Sequence, residues 1–289
     1  MTTNSISIGI VTYRTSLEYL KRCLRSISFQ SALDSVGSVV IRDNDNGFDR
    51  EIIEQAIAAS GLDKSLVKVV EGDNIGFGAA QNELMKLSFE KGESAHLCLN
   101  PDAALHPNSI ENVLEFASSK KFLGIFEMEQ FPVPHPKIVD PYTFETPWCS
   151  GCSLLIPSGV YEATKGFDES FWLYCEDVDL SWRVKAEGMH CYLVKNAQVA
   201  HFVHSRSNDS KEDQLRALPL ISAAKHLADK WGSPRFSKDM AKEYERRSGI
   251  SIDSDSLNNV PRPSPSSLLK AQPDFSHMLV FSPSTWIEE

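Results

Sequence analysis

A chain of 289 residues, 42% hydrophobic and 24% charged, has the make-up of an ordinary globular protein and is long enough to bury one large core or two small ones. A net charge of −10 argues against a general nucleic-acid binder, which needs a basic surface to displace counterions from phosphates. No stretch approaches the ~20 apolar residues that cross a bilayer, and the opening "MTTNSISIGIVTY" lacks the basic start and apolar middle of a signal peptide, so a cytoplasmic location is expected.

In chain order, "SISIGIVTY" predicts a strand, "LEYLKRCLRSIS" has apolar residues at helical spacing, "GSVVIRDN" predicts a second strand and "REIIEQAIAAS" a second helix. "SLVKVVEG" gives a third strand, "GAAQNELMKLSFEKG" a helix closed by Gly92, and "AHLCLNPD" a fourth strand. The alternation predicts an α/β fold: a mostly parallel sheet with helices on both faces and ligands at the carboxyl ends of its strands. Thr12, Asp43, Asn74 and Asp102 fall on that rim. Residues 122–147 hold Pro132, Pro134, Pro136, Pro141 and Pro147, too many for a central strand, so a loop or edge excursion is expected there. A strand "CSLLIPS", the acidic segment "GFDESFWLYCEDVDLSWRVKAEG" and a strand-like "HCYLVKNAQVAHFVH" come next. Two helices are expected near 210–231 and 235–248, the first interrupted or kinked at Pro219. Past Ile250 the chain turns Ser, Pro and Asp rich, the composition of a tail that docks loosely or stays disordered, although "FSHMLVFSPSTWI" is apolar enough to contact something.

The six cysteines, Cys23, Cys98, Cys149, Cys152, Cys175 and Cys191, mostly lie in apolar or aromatic surroundings and read as reduced, buried residues. The lone CxxC of Cys149 and Cys152, without a second pair, reads as structural sooner than as a zinc site.

"RDNDNG" at 42–47 reads as turn chemistry, or, with Asp43 fixed, as an acceptor for a nucleobase N–H. "NIGFGAAQN" at 74–82 opens a helix through Gly76 and Gly78. Gln81 stands where a dinucleotide fingerprint has its third glycine, which disfavours an NAD enzyme and leaves close backbone approach to a ligand, with Asn74 and Asn82 as polar contacts, or simple turning. In "NPDAAL", Asp102 is either a carboxylate holding a divalent cation against phosphates or, with Asn100, the shaping of a helix start. "FWLYCEDVDLSWRV" is the most informative stretch. Glu176 and Asp177 follow an aromatic cluster, where a carboxylate's pKa is tunable and suits a general base, although acids are favoured at any helix start. Asp179 and Arg183 have the spacing of a structural ion pair. His201 and His204, beside Ser205, Arg206 and Ser207, are candidates for a metal or phosphate site.

Taken in order, "IGIVTY", "VVIRDND", "NIGFGAAQN", "LNPDAAL", "WCSGCSLLIPSGVYEATKGFDESFWLYCEDVDLSWR" and "HFVHSRS" resemble bacterial inverting family 2 glycosyltransferases of GT-A fold, and within them the dTDP-L-rhamnose-dependent rhamnosyltransferases of O-antigen and polysaccharide synthesis. The resemblance covers residues 5–207. It implies a GT-A catalytic domain at 1–207, with a nucleotide-sugar-binding half at 1–102 and an acceptor half at 103–207, followed by C-terminal helices at 208–250 and a tail at 251–289. It implies that Asp43 contacts the base, that Thr12 and Tyr13 flank the nucleoside, and that Asn74, Gly76, Phe77, Gly78, Asn82, Asn100 and Arg206 line the donor site. Asp102 and His201 would hold a divalent metal, Mg²⁺ or Mn²⁺, Asp177 with Glu176 would be the catalytic acidic pair, and Trp148, Trp172 and Tyr174 would meet the acceptor. Asn100 replaces the first Asp of the family's DxD element, which puts strict metal dependence in question.

The implied partners are a dTDP-sugar and a saccharide or polyprenyl-diphosphate-linked acceptor; the resemblance also allows a homodimer. From Arg206 to Arg247 there are ten Lys or Arg against seven Asp or Glu, and with Leu215, Leu218, Leu227 and Trp231 this segment is expected to touch an anionic membrane surface. Two rivals stand beside this reading. A nucleotidyltransferase would carry a basic, glycine-rich phosphate loop where this chain has "VTYRTS", and a non-catalytic sugar-nucleotide-binding assembly protein would have no need of Glu176 and Asp177.

Overall fold

The fully apolar runs become the middle of one sheet. A computed structural model describes residues 5–202, 217–252 and 261–276. Its strands are β1 (Ile6–Thr12), β2 (Val36–Asp43), β3 (Val67–Glu71), β4 (Ala95–Leu99), β5 (Ala103–Leu105), β6 (Gly124–Phe131), β7 (Ser153–Pro157) and β8 (His190–His201), in the order β3-β2-β1-β4-β7-β6-β8-β5. The β3-β2-β1-β4 half is parallel, and β6 and β8 are also parallel. β7 runs antiparallel between β4 and β6, and β5 antiparallel along β8.

Every residue of β1, β4 and β7 is buried, as expected of strands covered on both faces. One face packs α1 (Leu17–Ser28), α2 (Arg50–Ser60) and α4 (Ser109–Ser119) through Leu20, Leu24, Ile53, Ile110 and Val113. The other carries α3 (Phe77–Glu90), α5 (Ser158–Thr164) and α6 (Glu176–Ala186), through Leu84, Met85, Val160, Leu180 and Val184. A separate cluster joins α6 to α7 (Leu218–Trp231), α8 (Pro234–Ser248) and α9 (Pro265–Ala271).

Four expectations are corrected. The proline-rich segment begins as a central strand, because the prolines start only at Pro132, after β6 has ended at Phe131. Pro219 opens α7 instead of kinking it: its missing N–H costs nothing in a first helical turn. Residues 261–276 of the tail are docked, with Ala271 fully buried and Phe275 edge-on to Trp182 at 5.2 Å between ring centroids. Leu227 and Trp231 are buried against α6, so they are not available to a membrane, and Lys225 and Lys230 of the basic segment are likewise buried in ion pairs. Leu215 lies outside the described residues, and Leu218 is half-buried. Among the described residues no helix is long and apolar enough to cross a membrane.

Candidate active site

Thr12 and Asp43 end β1 and β2 side by side in parallel register. Asp43 is fully buried and spends both oxygens on its own turn, accepting the N–H of Asp45 at 3.0 Å and of Asp49 at 2.9 Å. These bonds carry the turn-forming reading of "RDNDNG". Tyr13 is what stands at the open edge, 49% exposed, with the Arg14 guanidinium over its ring and over Phe48. Asn44, which the sequence reading passed over, is buried and ties β2 to the next turn: its amide donates to Asn74 at 3.0 Å and accepts from the Ile75 N–H at 3.3 Å. Asn74 in turn accepts the Gly76 N–H at 3.1 Å, so its amide serves the turn. Asn82 faces away from the cleft as well, donating to the Phe167 carbonyl at 2.9 Å and accepting the Phe167 N–H at 2.8 Å.

The glycines do bring backbone into close approach, but to the chain's own 166–177 segment. Gly76 has φ +86°, and a Cβ there would lie 2.3 Å from the Trp172 carbonyl, to which Phe77 N–H donates at 3.1 Å. Gly78 faces Phe167 and Glu176. Gly76→Ala is expected to cost at least ~1–3 kcal/mol from backbone strain alone, and to displace the loop that leads into α6; a thermal or denaturant unfolding midpoint equal to that of the unaltered chain would contradict this.

Where α3, β4, the 148–152 loop and α6 converge there is a cleft of about 200 Å³, lined among others by Phe77, Asn100, Trp148, Tyr174, Glu176, Asp177 and His201. Trp172, 57% exposed, is not among the residues that line it and borders a neighbouring groove with Phe171 and His226, and Arg206 lies outside the described residues. The loop "WCSGC" is held amide by amide. Cys149 N–H donates to Ser181 Oγ at 2.9 Å, Ser150 N–H to Glu127 Oε2 at 2.8 Å, and Gly151 N–H to Asp177 Oδ2 at 2.9 Å. Asp177 also accepts the Val178 N–H at 2.8 Å. Beside the cleft-lining His201, Asp102, just before β5, sets Oδ1 3.4 Å from His201 Nε2 at the end of β8. The antiparallel register of Ala103 with His201 makes this meeting a consequence of strand pairing.

Residues 7–135 match the family described as Glycosyl transferase family 2. The chain is 24% identical over 248 residues to Rhamnosyltransferase WbbL of Escherichia coli, covering 74% of this chain and 89% of that one. It is 26% identical over 251 residues to the N-acetylglucosaminyl-diphospho-decaprenol L-rhamnosyltransferase of Mycobacterium tuberculosis, covering 72% and 79%. Among solved structures, GalNAc-T7 with UDP, GalNAc and Mn²⁺ superposes with a TM-score of 0.65 at 12% identity, over 96% of this chain and 57% of that one, a likeness of GT-A fold.

Two carboxyls of the cleft are displaced from ordinary behaviour. Burial pushes Asp177 up, against the pull of the Gly151 and Val178 N–H groups. Burial, then the neighbouring Asp177, pushes Glu176 well above the usual range, and its Oε2 has no partner among the described residues. Sequence reading missed the buried ion pair behind them, Glu127 with Lys137; burial pushes the Glu127 carboxyl up while the Lys137 ammonium and the Ser150 N–H pull against it. Lys137 also lies 4.3 Å from the centroid of the Trp148 ring. A charged residue inside the apolar run "GIFEMEQF" was the available signal, since a buried charge needs a partner. Behind the cleft, Asp179 receives Arg183 Nε at 2.7 Å, Lys230 Nζ at 2.6 Å and Trp231 Nε1 at 2.9 Å, which clamps α6 to α7.

Among the described residues no three His, Cys, Asp or Glu gather around one metal position. Asp102 and His201 supply two donors, and two suffice for a cation such as Mg²⁺ or Mn²⁺ that keeps waters and completes its shell with phosphate oxygens. The pair fits such a group.

Proposed function

We propose that the chain is an inverting transferase that moves L-rhamnose from dTDP-L-rhamnose to a saccharide acceptor, GlcNAc or a short glycan carried on a polyprenyl diphosphate. The names of the two curated relatives support the donor sugar, and that of the mycobacterial enzyme supports the acceptor. The observation that carries the chemistry is Asp177, oriented by the Gly151 N–H and lining one cleft with Asn100, Trp148, Tyr174 and His201. Asp177 accepts the proton of the acceptor hydroxyl as that oxygen attacks the anomeric carbon and the bond to the dTDP oxygen breaks. A single displacement inverts the centre, so a β-linked donor gives an α-linked product. Trp148, Tyr174 and Trp172 offer ring faces to the acceptor saccharide, while Tyr13 borders the nucleoside above the turn that Thr12 and Asp43 brace. Asp102 and His201 would hold a divalent cation, which supplies charge neutralisation to the departing diphosphate.

Asp102→Ala is expected to lose metal-stimulated turnover by more than ~100-fold, beyond the 10–100-fold typical of groups that only support a ligand. His201→Ala should follow it, and Asn100→Ala should be milder because a neutral amide brings no charge. Turnover of dTDP-sugar with Mg²⁺, Mn²⁺ or EDTA checks this; full activity in EDTA, with Asp102→Ala as active as the unaltered chain, would remove the metal from the proposal.

Peripheral membrane contact belongs to the same reading, now resting on Arg235, Lys238 and Lys242, all exposed on α8. Reversing these three charges should weaken binding to anionic vesicles in a salt-sensitive way, by ~1 kcal/mol per residue near the surface. An unaltered chain that ignores such vesicles at low salt ends the idea.

A further inference from the structure

We infer that Gln130 is a positioning residue that fixes His201 as its Nδ1–H tautomer and so turns the Nε2 lone pair toward Asp102. Glu127 is the fixed point: its Oε2 receives the Lys137 ammonium, and also the Ser150 N–H at 2.8 Å. Its Oε1 receives the Gln130 side-chain nitrogen at 3.4 Å. An ionised carboxylate only accepts, so the NH₂ end of the Gln130 amide must face it; the flipped amide would set oxygen against oxygen at a site only 4% exposed.

That orientation leaves the Gln130 oxygen 2.9 Å from His201 Nδ1. An amide oxygen also only accepts, so Nδ1 carries the hydrogen, and in a neutral imidazole Nε2 is then bare. The bare nitrogen lies 3.4 Å from Asp102 Oδ1, so two electron-pair donors face each other. Without Gln130 the competing tautomer would win, because an Nε2–H can donate to the Asp102 carboxylate and would then block that lone pair. Gln130 excludes this alternative from a buried strand: it stands in β6 opposite Val199 of β8, and the Glu127 that aims it is pinned by Lys137 reaching in from the following loop. In its bearing on metal the inference rests on the proposed cation site, whereas the tautomer itself does not.

The test is the ¹⁵N spectrum of histidine-labelled full-length protein at about pH 8, where an ordinary imidazole is neutral, with His201→Gln used to assign the signal. The expected pattern is a protonated Nδ1 and an unprotonated Nε2. Gln130→Met keeps the volume but removes the acceptor; it should move His201 toward the Nε2–H form and weaken Mn²⁺ binding, measured by calorimetry, by ~10–100-fold. An Nε2–H tautomer in the unaltered chain overturns the inference even if the variant fails to fold. So does a folded Gln130→Met protein with the original tautomer and Mn²⁺ affinity. If the unaltered chain binds no Mn²⁺, the cation reading falls and the tautomer pattern alone decides this one.

Discussion

Asp177→Asn is expected to lower kcat for sugar transfer by ~10²–10⁴-fold, the usual worth of a positioned base, with little change in stability. The amide keeps the volume and its oxygen still accepts the Gly151 N–H; its NH₂ gives up only the bond from the Val178 N–H, so what the chemistry loses is the proton acceptor. The pH dependence carries its own signature. The base must be ionised to act, and burial has pushed its pKa up, so activity should rise with pH through a midpoint above the ~3.9 of an ordinary aspartate. The variant should lose that limb. An assay of product from dTDP-sugar and acceptor measures both; an Asp177→Asn protein as fast as the original would pass the role to another group, and an unaltered chain that forms no product would leave a binder that does no chemistry.

The largest expected effect on stability falls on a residue that touches no substrate. Asp179→Ala removes the carboxylate shared by Arg183, Lys230 and Trp231, leaving buried donors behind it, and breaking such a buried pair costs about 3–5 kcal/mol. Lys230 keeps Asp168 as a second partner, which places the cost toward the lower end of that range. A denaturant titration with an unchanged slope and a lowered midpoint is the expected result. An unchanged midpoint would mean that the clamp between α6 and α7 adds nothing to the fold.

Much of the sheet could be read from the chain because β1, β2, β4 and β7 are short apolar runs bounded by turn residues, a local property. Pairing direction is not local: nothing in "CSLLIPS" says that β7 inserts antiparallel between β4 and β6. β6 was hidden by the prolines that follow it. At the site, the acidic pair, Asn100 and His201 were legible as residue types and do line one cleft. Asn74 and Asn82 were nominated for polarity and by the family resemblance, and their amides are taken by backbone groups, Gly76 for one and Phe167 for the other. Gln130 illustrates the same limit from the other side. An amide in "EMEQF" has no visible task until parallel pairing of β6 with β8 sets it beside a histidine distant in sequence.

The packing of α9 lets a segment distant in sequence complete the cover over α6. Helix α6 bears Glu176 and Asp177 on its first turn, and its Trp182, 1% exposed, is covered in part by Phe275. During synthesis, at ~5–20 residues per second, the strands emerge and pair first, while Trp182 keeps a bare face until Phe275 has left the ribosome. A nascent or clipped chain that stops near Ile250 is therefore expected to have a finished sheet and an α6 still clamped to α7 through Asp179, with one face of Trp182 uncovered.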